Sequence, residues 1–348
     1  MKKHTLSLSF KPYTLELKYV FTVASNSRIS TPIMLTEIEY DGITGYGETS
    51  MPPYLGETKD TVEKFLKKVD LSSYHYPFDL ETILADVDAI APYNTAAKAS
   101  IDIALHDLTG KIVQKPWYKI WNFNPQTLPQ TSFTVGIDSP EMVIQKTKEA
   151  LPYNILKVKV SQDTDKKMIR AVRIVTDKPL FVDVNQGWSD KYYALDMIFW
   201  LQERGVIFIE QPLPRHQVND LAWLTRQSPI PIFADEGIQR LEDMEKIKDV
   251  YSGINIKLMK CTGMHEARKI IAMAKTMGMK TMMGCMTETS CAISAAAHLA
   301  PACDYADLDG SLLITNDLFD GIKIENGNIL LNDRPGIGVI KLTNLLLP

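Results

Sequence analysis

Five carboxylates and three lysines recur at one parity along a run of short apolar segments between residues 131 and 310: Lys157, Lys159, Asp183, Glu210, Asp235, Lys257, Asp307 and Asp309. Residues of these types, brought together, do acid–base chemistry around a cation. Asp183, Glu210 and Asp235 come from three successive segments, and three converging carboxylates repel one another unless a cation sits between them. Oxygen-only ligands select a hard ion, Mg²⁺ before Mn²⁺ or Ca²⁺. Lys159 and Lys257 lie on the second and sixth of eight segments, diametrically opposite if the segments close a ring. A substrate held by the metal then has an amine on each face, which suits taking a proton from one face of a carbon and returning one to the other. Lys157 shares its face with Lys159 and is expected, as a like charge, to favour the neutral, basic form of that amine.

The positioning elements follow from the same register. The segments are Thr131–Ile137, Ile155–Val160, Leu180–Asn185, Ile207–Pro212, Ile230–Glu236, Ile254–Met259, Thr281–Cys285 and Tyr305–Asp309. Their repeat of about 25 residues is what a strand, a helix and two loops need in a (β/α)₈ barrel. Because alternate strand residues face opposite sides, Val182, Val184, Ile209, Ile232 and Ile256 point to the helices while the charged set points to the axis. Chemistry in such barrels sits at the C-terminal ends of the strands.

Outside the barrel, residues 1–54 read as strands, with Phe21–Ser30 and Met51–Gly56 as loops. Thr58 is an N-cap before the stripe Val62, Phe65, Leu66 and Val69, and a second helix runs Thr95–Thr109 with Gly110 as its stop. The expected division is an α+β capping domain over 1–124, a modified TIM barrel of (β/α)₇β form over 125–317, and a segment 318–348 that returns to the cap. Its hairpin, Ile322–Leu331, turns at Asn326-Gly327-Asn328. With 348 residues, 23% charged and a net charge of −4, the chain carries no electrostatic footprint for nucleic acid or an anionic membrane. No apolar run approaches the roughly 18 residues of a membrane span, and polar residues interrupt the stretch after Met1-Lys2-Lys3 that a leader would need. Cys261, Cys285, Cys291 and Cys303 lack zinc or disulfide spacing and read as free thiols in a reducing compartment, the cytoplasm.

Motif by motif, the chain resembles the enolase superfamily, muconate-lactonizing subgroup. The resemblance rests on Lys157-Val158-Lys159, Asp183-Val184-Asn185-Gln186-Gly187-Trp188, Ile209-Glu210-Gln211-Pro212, Ala234-Asp235-Glu236, Asn255-Ile256-Lys257-Leu258-Met259-Lys260 and Met286-Thr287-Glu288-Thr289, with Gly45-Tyr46-Gly47-Glu48 and Ala99-Ser100-Ile101-Asp102-Ile103-Ala104 upstream. It implies Asp183, Glu210 and Asp235 as Mg²⁺ ligands, Lys159 and Lys257 as the acid/base pair, and proton abstraction α to a carboxylate through an enediolate.

Strand eight separates the members. Asp307-Leu308-Asp309 puts two inward carboxylates across from the metal, where they would grip the ammonium of a dipeptide bound through its C-terminal carboxylate. The pair resembles the signature of the dipeptide epimerases, isomerases that include the L-Ala-D/L-Glu epimerases of murein-peptide metabolism, commonly homo-oligomers. Lys157, Arg28 and Glu288 join Asp307 and Asp309 as candidate substrate-binding groups, Arg28 as a partner for a glutamate side chain. Asn185 and Glu236 are expected to support the site. The alternatives are an o-succinylbenzoate synthase or N-acylamino acid racemase of the same superfamily, and a non-catalytic metal- or peptide-binding barrel. His298 is expected to be a packed histidine.

Overall fold

In a computed structural model, residues 5–23 and 26–342 are described; Met1-Lys2-Lys3 lies outside them. The chain opens with a three-stranded antiparallel sheet of β1 (Ser7–Val23), β2 (Asn26–Tyr40) and β3 (Ile43–Ser50), backed by α1 (Lys59–Leu66), α2 (Leu80–Ala89) and α3 (Thr95–Ile112). Thr58 caps α1 as expected, its hydroxyl accepting from Thr61 N in a capping box. Gly45 and Gly47 let β3 lie directly on α3: a Cβ would come within 2.1 Å of Ala104 O at the first and 2.0 Å of Ser100 O at the second.

Two expectations change here. Within Phe21–Ser30, expected as a loop, the described residues Phe21–Val23 and Asn26–Ser30 are strand, the ends of β1 and β2, where Phe21 pairs with Arg28. Gly110 does not stop α3, which runs on to Ile112; a side chain at Gly110 would strike the backbone of Gly336 at 2.6 Å, so it marks a close approach.

After a short helix, α4 (Trp117–Ile120), the barrel follows. Its strands are β4 (Phe133–Val135), β5 (Leu156–Lys159), β6 (Leu180–Asp183), β7 (Val206–Glu210), β8 (Ile232–Ala234), β9 (Gly253–Lys257), β10 (Lys280–Gly284) and β11 (Tyr305–Asp307), parallel and paired in chain order. Parallel bridging of Thr131 to Ala306 brings the last strand against the first. All eight expected segments coincide with a strand; each strand ends before its expected segment does, where the chain turns out into a loop, and those at Val206, Gly253 and Lys280 begin one residue earlier than expected.

The parity holds. Val158, Val182, Ile209, Ile232 and Ile256 pack outward in one large apolar layer with residues of the helices α5 (Pro140–Glu149), α6 (Asp165–Val175), α7 (Lys191–Gln202), α8 (Val218–Gln227), α9 (Met244–Ile247) and α10 (Met264–Thr276). The floor inside the barrel is a separate plug of Phe181, Phe208, Phe233 and Met282. Phe208 stacks between Phe181 at 4.5 Å and Phe233 at 4.4 Å, centroid to centroid. Two residues further along each of these strands come the carboxylates, so a dry aromatic floor supports a charged rim.

Beyond β11 the eighth helix is reduced to a 3₁₀ turn, Gly310–Leu313. The hairpin Lys323–Glu325 and Asn328–Leu330 forms around Asn326 and Gly327, both at positive φ, and Gly327 O accepts from Thr131 N at the entry to the first barrel strand. The chain then reaches the cap: Ile337 N donates to the buried Asp107 of α3 at 3.0 Å, and Trp117 N to Gly336 O at 3.2 Å. Among the described residues no helix is long and apolar enough to cross a membrane.

Candidate active site

At the C-terminal ends of the strands lies a cavity of about 620 Å³ whose walls include Lys157, Lys159, Asp235, Lys257, Asp307 and Asp309. Asp183, Glu210 and Asp235, from β6, β7 and the residue after β8, converge with ligand-capable oxygens within 4.8 Å of one another. All three are buried. Burial alone would raise every one of them, yet the lysines hold Asp183 and Asp235 well below the carboxylate range, while burial and the Asp183 charge push Glu210 up to about 8. Glu210 Oε1 is fixed by Asn255 Nδ2 at 2.6 Å; Oε2 accepts no hydrogen bond of proper geometry and rests against Lys157 Nζ at 2.8 Å. A set of three oxygen donors, one with an unclaimed lone pair, fits a hard divalent cation.

The lysines stand on opposite sides. Lys159 (β5) donates to Asp183 Oδ2 at 2.5 Å and Asn185 Oδ1 at 3.1 Å. Lys257 (β9), four strands round the ring, donates to Asp235 Oδ2 at 2.7 Å. Although burial opposes its charge most strongly, Asp235, with Tyr54 and Glu210, outweighs that cost and raises Lys257 well above the ordinary lysine value.

Lys157 departs from expectation. Its ammonium lies 3.0 Å from Asp183, 2.8 Å from Glu210 and 2.8 Å from Asp307, almost wholly buried. Three carboxylates already compensate it, so it is not a bare like charge beside Lys159. It ties the acid cluster to strand eight and lines the cavity there. Asp307 also accepts from Ser132 Oγ at 2.6 Å, and Asp309 from Thr134 N at 2.7 Å; burial and the Asp307 charge push Asp309 up to about 7.

Arg28, carried by β2, reaches into the cavity, donates to Thr287 Oγ1 at 3.1 Å and lies over the Phe21 ring, while its buried Nε has no partner. Burial lowers its pKa. Glu288 does not line the cavity: buried in its own loop, it accepts from Met286 N at 3.0 Å, which removes it from the candidate substrate contacts. Asn185, in left-handed backbone that asparagine tolerates, links Lys159 to Glu236 Oε1 at 3.3 Å, and both it and Glu236 line the cavity. His298 is buried under Tyr118, stacked at 5.7 Å, and burial lowers it to about 4. Cys261, Cys291 and Cys303 are buried free thiols; Cys285, also free, lines the cavity.

Three contributors had no assigned role in the sequence reading. Asn255 orients Glu210. Lys260, fully buried, clamps Asp235 through both its carboxylate at 2.7 Å and its carbonyl. Gln211 Oε1 accepts from Asp235 N and Gly237 N, both at 3.0 Å, bracing the turn that carries the third acid.

A closed parallel barrel, a hard-cation donor set at its rim and two opposed amines define a class: a barrel enzyme whose site suits proton transfer at carbon beside a bound metal. Comparison with known proteins narrows it. Residues 12–121 match the mandelate racemase / muconate lactonizing enzyme N-terminal domain and residues 141–340 the enolase C-terminal domain-like family. The chain belongs to the mandelate racemase / muconate lactonizing enzyme branch of the enolase superfamily. It is 59% identical, over 97% of its length and 88% of the relative's, to an L-Ala-D/L-Glu epimerase of Bacteroides thetaiotaomicron. Among solved structures it is similar to the dipeptide epimerase of Enterococcus faecalis with Mg and L-Leu-L-Tyr (TM-score 0.90, 33% identity, 97% and 99% of the two chains). A substrate-liganded L-Ala-D/L-Glu epimerase of Bacillus subtilis is equally similar in fold (TM-score 0.90, 28% identity, 97% and 99%).

Proposed function

We propose that the protein is a Mg²⁺-dependent dipeptide epimerase that inverts the α-carbon of the C-terminal residue by 1,1-proton transfer, with L-Ala-D/L-Glu as leading substrate. The observation that carries this reading is the placement of Lys159 and Lys257 on opposite sides of a mouth containing three converging carboxylates. The names and bound molecules of the relatives agree with it.

In this reading Asp183, Glu210 and Asp235 hold Mg²⁺, which when bound supplies a Lewis acid toward the substrate carboxylate. One lysine removes the α-proton; the opposite lysine returns a proton to the other face, the negative charge spreading meanwhile into the carboxylate as an enediolate. The roles exchange with the starting epimer. A dipeptide extends about 7 Å from carboxylate to amine, at about 3.5 Å per residue, and Asp307 and Asp309 receive its ammonium. Arg28, with an N–H to spare, takes the γ-carboxylate of a C-terminal glutamate. Asn185 and Glu236 steady Lys159 from its flank. N-acyl substrates lack the ammonium that this end of the cavity is charged to receive. The reading includes a cytoplasmic setting, supported by the four free thiols, and a cap, barrel and returning segment divided at 1–124, 125–317 and 318–348.

Proton NMR in D₂O with Mg²⁺ and L-Ala-L-Glu tests it. The glutamate α-proton signal should decay as L-Ala-D-Glu accumulates; full retention of that signal would overturn the assignment.

A further inference from the structure

We infer that a side chamber next to the ammonium-binding end receives the side chain of the dipeptide's first residue, so that bulky apolar residues are accepted there and not alanine alone. The inference rests on the dipeptide reading above and goes beyond it to a substrate class.

The chamber, about 310 Å³, lies between the cap strand β1, the first barrel strand and the 3₁₀ turn after strand eight. Ligand pockets begin at about 300 Å³, far more room than the methyl group of alanine fills. It adjoins the main cavity, the two having Phe21, Thr134 and Leu313 in common. Thr134 is the residue whose N–H holds Asp309 at 2.7 Å. An ammonium on Asp309 has its α-carbon about 1.5 Å away, which puts the side chain of the first residue beside Thr134, a residue the chamber has in common with the main cavity.

The chamber's shape is built by a fault in the cap. The β1–β2 pairing slips between Glu16 and Phe21, and Leu17 and Val20, inside the slip, form chamber wall. Such irregularities re-aim side chains beside active sites. Leu17 also bridges Ile314, which fixes the slipped segment to the turn that supplies Leu312 and Leu313.

The walls select the occupant's chemistry. Of the charges in the lining, Lys146 pairs with Asp138 at 2.8 Å and Glu149 accepts from Tyr19 at 3.2 Å and from Gln145 at 3.0 Å, while Lys18 is exposed. What remains is apolar surface from Leu17, Val20, Phe133 and Leu312. That surface suits leucine or phenylalanine, and with Glu149 already engaged a basic side chain finds no free counter-charge there.

The experiment compares α-hydrogen exchange, read by mass spectrometry in D₂O with Mg²⁺, for L-Ala-L-Glu, L-Leu-L-Glu and L-Phe-L-Glu. For the natural protein, kcat/KM with L-Leu-L-Glu should fall within tenfold of that with L-Ala-L-Glu; a larger deficit overturns the inference. In Leu312→Trp, which fills the chamber, the ratio of L-Phe-L-Glu to L-Ala-L-Glu should drop at least tenfold. Val20→Trp fills it from its exposed edge, at little risk to folding, and should lower the same ratio. An unchanged ratio in a folded variant overturns the inference. Failure of L-Ala-L-Glu itself to exchange would instead refute the proposed function, so the two failures are distinguishable.

Discussion

Lys157 shows how much a single residue's role depends on what faces it. On sequence it is the second amine of a Lys-x-Lys pair; in the fold it is a buried strut touching Asp183, Glu210 and Asp307. Burial works against its charge, yet those carboxylates raise it well above the ordinary lysine value. Lys157→Met should therefore destabilise the metal-free protein by about 3–5 kcal/mol, the cost of leaving buried charge uncompensated. Urea unfolding in EDTA measures this, and a loss under 1 kcal/mol would show the strut to be dispensable. For the opposed amines the expectation concerns chemistry. Lys159→Ala and Lys257→Ala should each lower epimerisation by about 10²–10⁴-fold, while each keeps exchange with one epimer of the substrate, the other epimer for the other variant. Exchange of both epimers by either variant would contradict opposed faces. The acidic trio and both lysines were legible because strand parity carries them. Asn255 obeys the same parity, two residues before Lys257, so the signal for it was present. Lys260 was not legible: it sits past the strand end in a turn where Lys260 N bonds Lys257 O, and there alternation no longer applies.

Among the elements, the barrel strands were readable because both of their faces are specified, apolar residues to the helix layer and charge to the rim. Helix α2 was missed, the sequence reading having two helices over residues 58–109 where three form, although Leu80, Ile83, Leu84 and Val87 carry helical spacing. The strand ends Phe21–Val23 and Asn26–Ser30 were harder, because the β1–β2 register slips just before them, between Glu16 and Phe21. The signal for the aromatic floor was present, since Phe181, Phe208 and Phe233 lie two residues before Asp183, Glu210 and Asp235 on three neighbouring strands and share their inward parity. Phe208 is wholly buried between two stacked rings and touches Tyr305 as well. Phe208→Ala should lower stability by about 3–5 kcal/mol through lost burial and the void left behind. It should also loosen the carboxylate rim, raising the Mg²⁺ concentration needed for half-maximal exchange. An unfolding midpoint like that of the natural protein would mean that the floor does not hold the strands together.

Across the whole molecule, cap and barrel are joined by buried acids that serve barrel backbone. Asp102 of α3 accepts from Met264 N at 2.5 Å and His265 N at 3.1 Å, where α10 begins. Glu48 of β3 accepts from Thr289 N at 2.8 Å and from its hydroxyl, where α11 (Ser290–Ala297) begins. These joints fall in the two upstream motifs of the sequence reading, Gly45–Glu48 and Ala99–Ala104, for which that reading had found no chemistry. Glu48 makes the joint sensitive to pH. Burial, helped by the charge of Glu288, raises it from 4.5 to about 8. The folded protein therefore keeps a proton that the unfolded chain releases, and stability falls as pH rises from about 4.5 through 8. His298, lowered to about 4, acts in the opposite direction between about 4 and 6.5, so the effect is clearest above that range. Glu48→Gln cannot titrate, and groups such as Glu288 and Glu210 remain in both proteins. Denaturation free energies at pH 7 and 8 should then fall more steeply for the natural protein than for the variant, by up to about 1.4 kcal/mol per pH unit. Equal slopes would mean that Glu48 carries no extra proton in the folded state, and the cap would then be held to α11 by an ordinary ionised carboxylate.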